Sequence, residues 1–288
     1  MTSKLHTFLS AAILSSMVLP ALATAPATPE SEAATPLNPG KDQIQTARNV
    51  IYQLSRGHYA RPPLDDELSA KMYDRYIEVL DNSHSYFLQS DIDGFNKYRL
   101  ELDDELKLSN LEPGYLIYNK YLERVNQRLN FNIQYLQGDL SKIDFTKNES
   151  VVLDRSEAAW VKNMDELQEL WRKRIKSSVL GLKMAKKEDK AIQELLVKRF
   201  KNQLNRLSQT NNEDVFQTYI NALTHSYDPH TQYFSPRSSE NFNINMRLSL
   251  EGIGAVLQMD NEYTKVVRLV PAGPADKAGE LSPADRIV

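Results

Sequence analysis

The chain has 288 residues, a formal net charge of −3, and 41% hydrophobic against 25% charged residues. That composition is globular, fits one or two domains, and excludes collagen-like and disordered chains; the near balance of charge gives no footing for general nucleic-acid binding. Zero cysteines exclude disulfides, thiol catalysis, iron–sulfur clusters and Cys-ligated zinc.

Residues 1–23 read as an export signal. Lys4 precedes a short apolar core, Phe8–Leu19, and Ala21-Leu22-Ala23 supplies a small-x-small cleavage pattern. The core is too short for a spanning helix, which needs roughly 20 apolar residues. Residues 24–41 hold Pro26, Pro29, Pro36 and Pro39 among Ala, Thr, Ser and Glu; they are expected to form an exposed tether that buries nothing.

Residues 42–236 carry helical spacing. Leu64, Leu68, Met72, Tyr76 and Leu80 fall four apart, with Asp65, Asp66 and Glu67 at the favourable N-terminal end. Pro113 opens and Gly138 closes a helix of about six turns, with one apolar stripe from Tyr115 to Leu136. Its tyrosines suit a helix–helix core better than a binding face. Trp160, Met164, Leu167 and Trp171 start a further stripe, Ile192, Leu195, Leu196, Leu204 and Leu207 another, and Asn211 to Asp214 open a last long helix bearing Val215, Phe216, Tyr219, Ile220 and Leu223. Between Arg172 and Arg206 stand twelve Lys/Arg against three Asp/Glu, read as a solvated helical hairpin balanced by acids elsewhere rather than a patch for an acidic partner.

After Pro236 the pattern changes. Residues 237–288 begin as a polar connection. Gly252-Ile253-Gly254-Ala255 then leads into a strand, Tyr263–Val270 is a second strand, Pro274 opens a short helix that Gly279 ends, and Asp285 to Val288 start a third strand. About 40 residues are too few for an independent core, so the expectation is a domain cut short. A GxG loop can turn its backbone N–H groups into a concave anion site. A strand with a free edge beside it can accept a peptide as an added strand, its terminal carboxylate in the N–H groups and Ile253 and Leu250 lining a pocket for a nonpolar last residue. A dinucleotide loop would need a third glycine before a long helix, and a strand follows instead.

His225, Asp228 and His230 could ligate a metal. Pro229 forces an extended turn there, and a corner in which Asp228 accepts from backbone N–H groups competes with that reading. A Ser-His-Asp triad through Ser226 or Ser235 would crowd into one turn. His58 and His84, at polar helix ends, are expected on the surface.

Tyr227-Asp228-Pro229-His230-Thr231-Gln232-Tyr233-Phe234-Ser235-Pro236 is similar to the signature that precedes the PDZ domain of bacterial C-terminal processing serine peptidases. Residues 252–288, with Pro271-Ala272-Gly273-Pro274-Ala275-Asp276-Lys277-Ala278-Gly279 and Asp285-Arg286-Ile287, resemble the first half of that PDZ domain, and Leu248 to Leu257 resemble the tail-specific protease branch. The resemblance implies a mainly α N-terminal helical domain followed by an incomplete α/β PDZ domain, α+β overall. It also implies a periplasmic endopeptidase that takes polypeptides with nonpolar C-termini, uses a Ser nucleophile and a Lys base encoded beyond Val288, needs no cofactor, and works with a helical-repeat lipoprotein adaptor. It assigns Gly252, Ile253, Gly254 and Ala255 to the peptide carboxylate, assigns no catalytic or metal-binding residue to this stretch, and makes the Asp228 corner structural. Two positions depart from the pattern: Leu248 stands where many PDZ domains have a basic residue, with Arg247 the nearest base, and Ala284 stands where a glycine is usual, which should stiffen that turn. The alternative function is a non-catalytic exported scaffold or adaptor.

Overall fold

The computed structural model describes residues 35–247, 252–260 and 263–287. The segment read as an export signal, most of the expected tether, Leu248 and Leu250 lie outside the described residues.

The end of the tether is not free. Leu37 packs on the helical core, and its N–H and carbonyl bond the Asn119 side-chain amide at 2.9 and 2.8 Å. The expectation that this linker buries nothing fails because one apolar residue among the prolines finds a partly apolar, hydrogen-bonding seat. Helix α1 (Lys41–Gly57) follows at once.

Helix α2 (Asp66–Asp81) starts where the acids predict, with Asp65 as the capping residue accepting from Leu68 N–H at 3.1 Å. Short helices α3 (Gln89–Phe95) and α4 (Leu102–Lys107), joined by a 3-10 turn, lead to α5 (Glu112–Gln137). Pro113 sits in the first turn of α5 and Gly138 caps it, as expected; at 26 residues it runs a turn longer than the apolar stripe alone suggests. Helices α6 (Met164–Met184) and α7 (Asp189–Leu207) form the basic hairpin. Trp160 lies ahead of α6 rather than on it, and Leu195 faces outward at 38% exposure. Helix α8 (Asn212–Tyr227) is capped by Asn211 and Asp214 reciprocally and buries all five of its predicted apolar residues.

The main core joins α1, α2, α5 and α8 through Ala47, Leu54, Met72, Tyr76, Tyr115, Phe216 and Tyr219. Tyr76 and Tyr219 meet edge to face at 5.2 Å, and Tyr76 hydroxyl donates to Gly114 carbonyl at 2.9 Å. A side chain at Gly114 would strike the Tyr219 ring, its Cβ only 2.5 Å from Cγ. A second core of Leu136, Ile175, Val179, Ile192 and Leu196 packs α5, α6 and α7 together. Among the described residues no helix is long and apolar enough to cross a membrane.

The segment expected as a polar connection is instead α9 (Pro236–Arg247). Pro236 suits a first turn, and with no residue of α9 buried the helix carries little apolar signal to read. Strands β1 (Ala255–Asp260), β2 (Tyr263–Leu269) and β3 (Arg286–Ile287) form one antiparallel sheet in that order, with a bulge between Val256 and Leu257. Helix α10 (Pro274–Ala278) ends on Gly279 in left-handed backbone, φ +70°. The sheet region buries only Val266 and Ala275, while Ile253, Leu257, Val267, Val270 and Ile287 stay substantially exposed among the described residues. The architecture is thus mainly helical with a small β region, as the sequence predicts.

Candidate functional site

The loop Gly252–Ala255 is held from behind by its own carbonyls. Gly254 carbonyl accepts from Val270 N–H at 2.7 Å, and Ile253 carbonyl accepts from Ala275 N–H, in the first turn of α10, at 2.8 Å. Gly254 has φ +73°, a conformation glycine adopts without strain, and a Cβ there would lie 3.1 Å from Pro274 Cδ and 3.2 Å from Gly273 Cα. Gly254 and Gly273 therefore permit two backbones to touch. Gly252 is different: a Cβ there meets nothing among the described residues and its φ is ordinary. Among the described residues no protein acceptor takes the N–H of Gly252, Ile253 or Gly254. With the Ile253 and Gly254 carbonyls bonded within the fold and these N–H groups unpaired among the described residues, the loop has the polarity an anion site needs. Ile253 is half exposed beside it.

Ala284, the second departure noted in the sequence, has φ +78°. It closes a tight turn in which Ala284 N–H donates to Val266 carbonyl and Val266 N–H to Asp285 carbonyl, both at 2.8 Å, while Asp285 Oδ2 accepts from Ser282 N–H at 2.7 Å. The turn demands left-handed backbone, and an alanine adopts it at a cost.

At the corner after α8, Asp228 accepts from His230 N–H at 2.7 Å, from Thr231 hydroxyl at 2.5 Å, and from His58 Nε2 at 2.6 Å. These bonds, Thr231 first and His58 second, hold its carboxyl well below the usual range. His58 Nδ1 accepts from Ala60 N–H at 3.2 Å, so the proton sits on Nε2 and both ring nitrogens are engaged. The surface placement expected for His58 is wrong: its side chain is 7% exposed, because the end of α1 returns to a residue 170 positions on. His84 is not a free surface residue either; it stacks on Trp160 at 3.7 Å and bonds Ala158 carbonyl.

His225 does not join the corner. Burial, with Arg75 second, lowers its pKa. Among the described residues no three His, Cys, Asp or Glu are grouped to hold a metal ion. Ser226 hydroxyl donates to Ala222 carbonyl, and Ser235 hydroxyl to Ser238; neither is directed at a histidine. Asp228 thus performs a structural task, tying α1 to the end of α8, and His58 was missed because no local pattern marks a partner so distant in sequence.

A helical domain closed by this corner and followed by a glycine-loop β unit defines the class: a mainly helical chain with a small antiparallel β region. Residues 50–237 match the family model described as the tail-specific protease N-terminal domain. The chain is also 35% identical over 284 residues to a protein called tail-specific protease from Haemophilus influenzae; the match covers 98% of this chain and 40% of that relative. The chain belongs to the tail-specific protease family. It spans about two-fifths of the length of the relative it matches.

Proposed function

We propose that this chain is the recognition-bearing part of an exported serine endopeptidase that binds the nonpolar C-terminal end of a polypeptide and hydrolyses its peptide bonds. Residues 252–287 act as part of a PDZ groove in this reading: the backbone N–H groups of Gly252, Ile253 and Gly254 receive the terminal carboxylate, and Ile253 contacts the last side chain. The observation that carries it is the loop itself, whose carbonyls are spent on Val270 and Ala275 while its own N–H groups find no acceptor among the described residues. With Leu248 in place of a base, the charge of the carboxylate is met by backbone dipoles. Family membership supports the proteolytic activity, the export signal read at residues 1–23 supports periplasmic work, and in this reading the attacking Ser and the Lys base are not among these 288 residues.

Calorimetry tests the reading. A peptide with a free nonpolar C-terminus binds the protein more tightly than its amidated form; equal affinities refute carboxylate recognition. Casein incubated with the 288-residue chain stays intact, and cleavage that survives repurification would put bond-breaking residues inside it, against the assignment made here.

A further inference from the structure

Two arginines from separate helices converge on the loop that follows α2, and a third lies near them in a connection that His84 of the same loop bonds at Ala158 carbonyl. Arg128 of α5 and Arg174 of α6 both donate to the Ser85 hydroxyl, at 3.3 and 3.4 Å, and Ser83 and Ser85 hydroxyls lie 2.7 Å apart. Arg155, in the connection before α6, donates one terminal nitrogen to Ala159 carbonyl at 3.2 Å, while its Nε is buried with no hydrogen-bond partner. All three side chains are half-buried.

The contrast with Arg124 is instructive. That guanidinium takes both oxygens of Asp91, at 2.8 and 2.9 Å. Among the described residues no ion pair uses Arg128, Arg155 or Arg174. Asp81 stands behind Ser85, but its oxygens are taken by the N–H groups of Ser85, Tyr86 and Phe87 and by the Trp160 indole. Arg128 otherwise rests on the Tyr86 ring at 4.8 Å. Like charges gathered in a half-buried place repel, and buried donors without acceptors cost free energy; burial, then Arg128 and Arg155, lowers the pKa of Arg174. Such a cluster is most stable with an anion in it.

We propose that Arg128, Arg155 and Arg174, with the Ser83 and Ser85 hydroxyls, form a binding site for a tetrahedral oxyanion of the phosphate class. Planar guanidinium forks match the oxygen spacing of phosphate, and hydroxyl donors fill its remaining valences. A doubly charged anion neutralises three cations better than chloride or a single carboxylate. The ligand is free phosphate or a phosphoryl headgroup.

The test is calorimetric titration of the whole chain with inorganic phosphate at fixed ionic strength. Saturable binding is expected, weakened about tenfold or more in Arg174→Ala and in Arg128→Ala. Arg174→Lys, which retains charge and stem but loses the fork, guards against misfolding of the truncations and is expected to weaken binding severalfold. Arg206→Ala, on the exposed end of α7, should bind as the parent does. In phosphate-free buffer Arg174→Ala should melt no lower than the parent, since repulsion is removed. Cosedimentation with phosphatidylglycerol vesicles, lost in Arg174→Ala, assigns a headgroup; phosphate binding without cosedimentation assigns the free anion. No saturable phosphate binding, or equal binding by the parent and both alanine variants, or equal weakening by Arg206→Ala, overturns the site.

Discussion

Replacing Gly254 by alanine should open the loop proposed to receive the peptide carboxylate. A residue with a Cβ in left-handed backbone costs about 1–2 kcal/mol, and Gly254 has φ +73°. The added carbon must also push back Pro274 Cδ and Gly273 Cα, at 3.1 and 3.2 Å. Both belong to the turn entering α10, so the strain falls on the bonds from Val270 N–H to Gly254 carbonyl and from Ala275 N–H to Ile253 carbonyl. Hydrogen exchange reads those two amides directly. A loss of one to two kcal/mol in local opening corresponds to roughly 5- to 30-fold faster exchange. Gly252→Ala is the control, because its Cβ meets nothing among the described residues; it should change exchange little. Unchanged protection at Val270 and Ala275 in Gly254→Ala, or an equal effect from Gly252→Ala, would refute the backbone contact as the reason for the glycine.

Three further outcomes follow from neighbouring features. Ala284→Gly removes the left-handed strain at φ +78° and, after the chain-entropy cost of glycine, should stabilise the turn by about 0.5–1 kcal/mol, seen as slower exchange of the Val266 amide. Gly114→Ala drives a methyl into the buried Tyr219 ring; overpacking of about 3 kcal/mol exceeds the helix-propensity gain of about 1, so the urea midpoint should fall by the equivalent of about 2 kcal/mol. Glu149 is bound by Lys176 Nζ at 2.5 Å and Arg172 Nη2 at 2.6 Å, which lower its pKa to about 2. A depressed carboxylate stabilises fully above its unfolded value and loses that contribution as pH falls through its folded one. Thermal unfolding should therefore show an acid loss between about pH 4.5 and pH 2 that Glu149→Gln lacks.

Helical elements were the most legible part of this sequence. Asp65, Pro113, Gly138 and Asn211 mark boundaries by local chemistry, and the stripes of α2, α5 and α8 bury as their spacing dictates. Legibility failed where structure depends on distant partners or on weak apolar signal. His58 finds Asp228, His84 finds Trp160 and Leu37 finds Asn119 across long separations that no periodicity records. Helix α9 buries nothing, so its sequence looks like a connection. At the candidate site, glycines at 252 and 254 look alike in sequence, yet only Gly254 is required by backbone geometry. Conversely, Ala284 was legible as a departure, and its positive φ gives the physical reason a glycine suits that turn.

Amide chemical shifts of Gly252, Ile253 and Gly254, followed by NMR as a peptide with a free nonpolar C-terminus is titrated, test carboxylate capture most directly. The account predicts saturable shifts concentrated on those three N–H groups and much smaller ones with the amidated peptide. A peptide that binds while leaving them unmoved, or moves them equally when amidated, would contradict it.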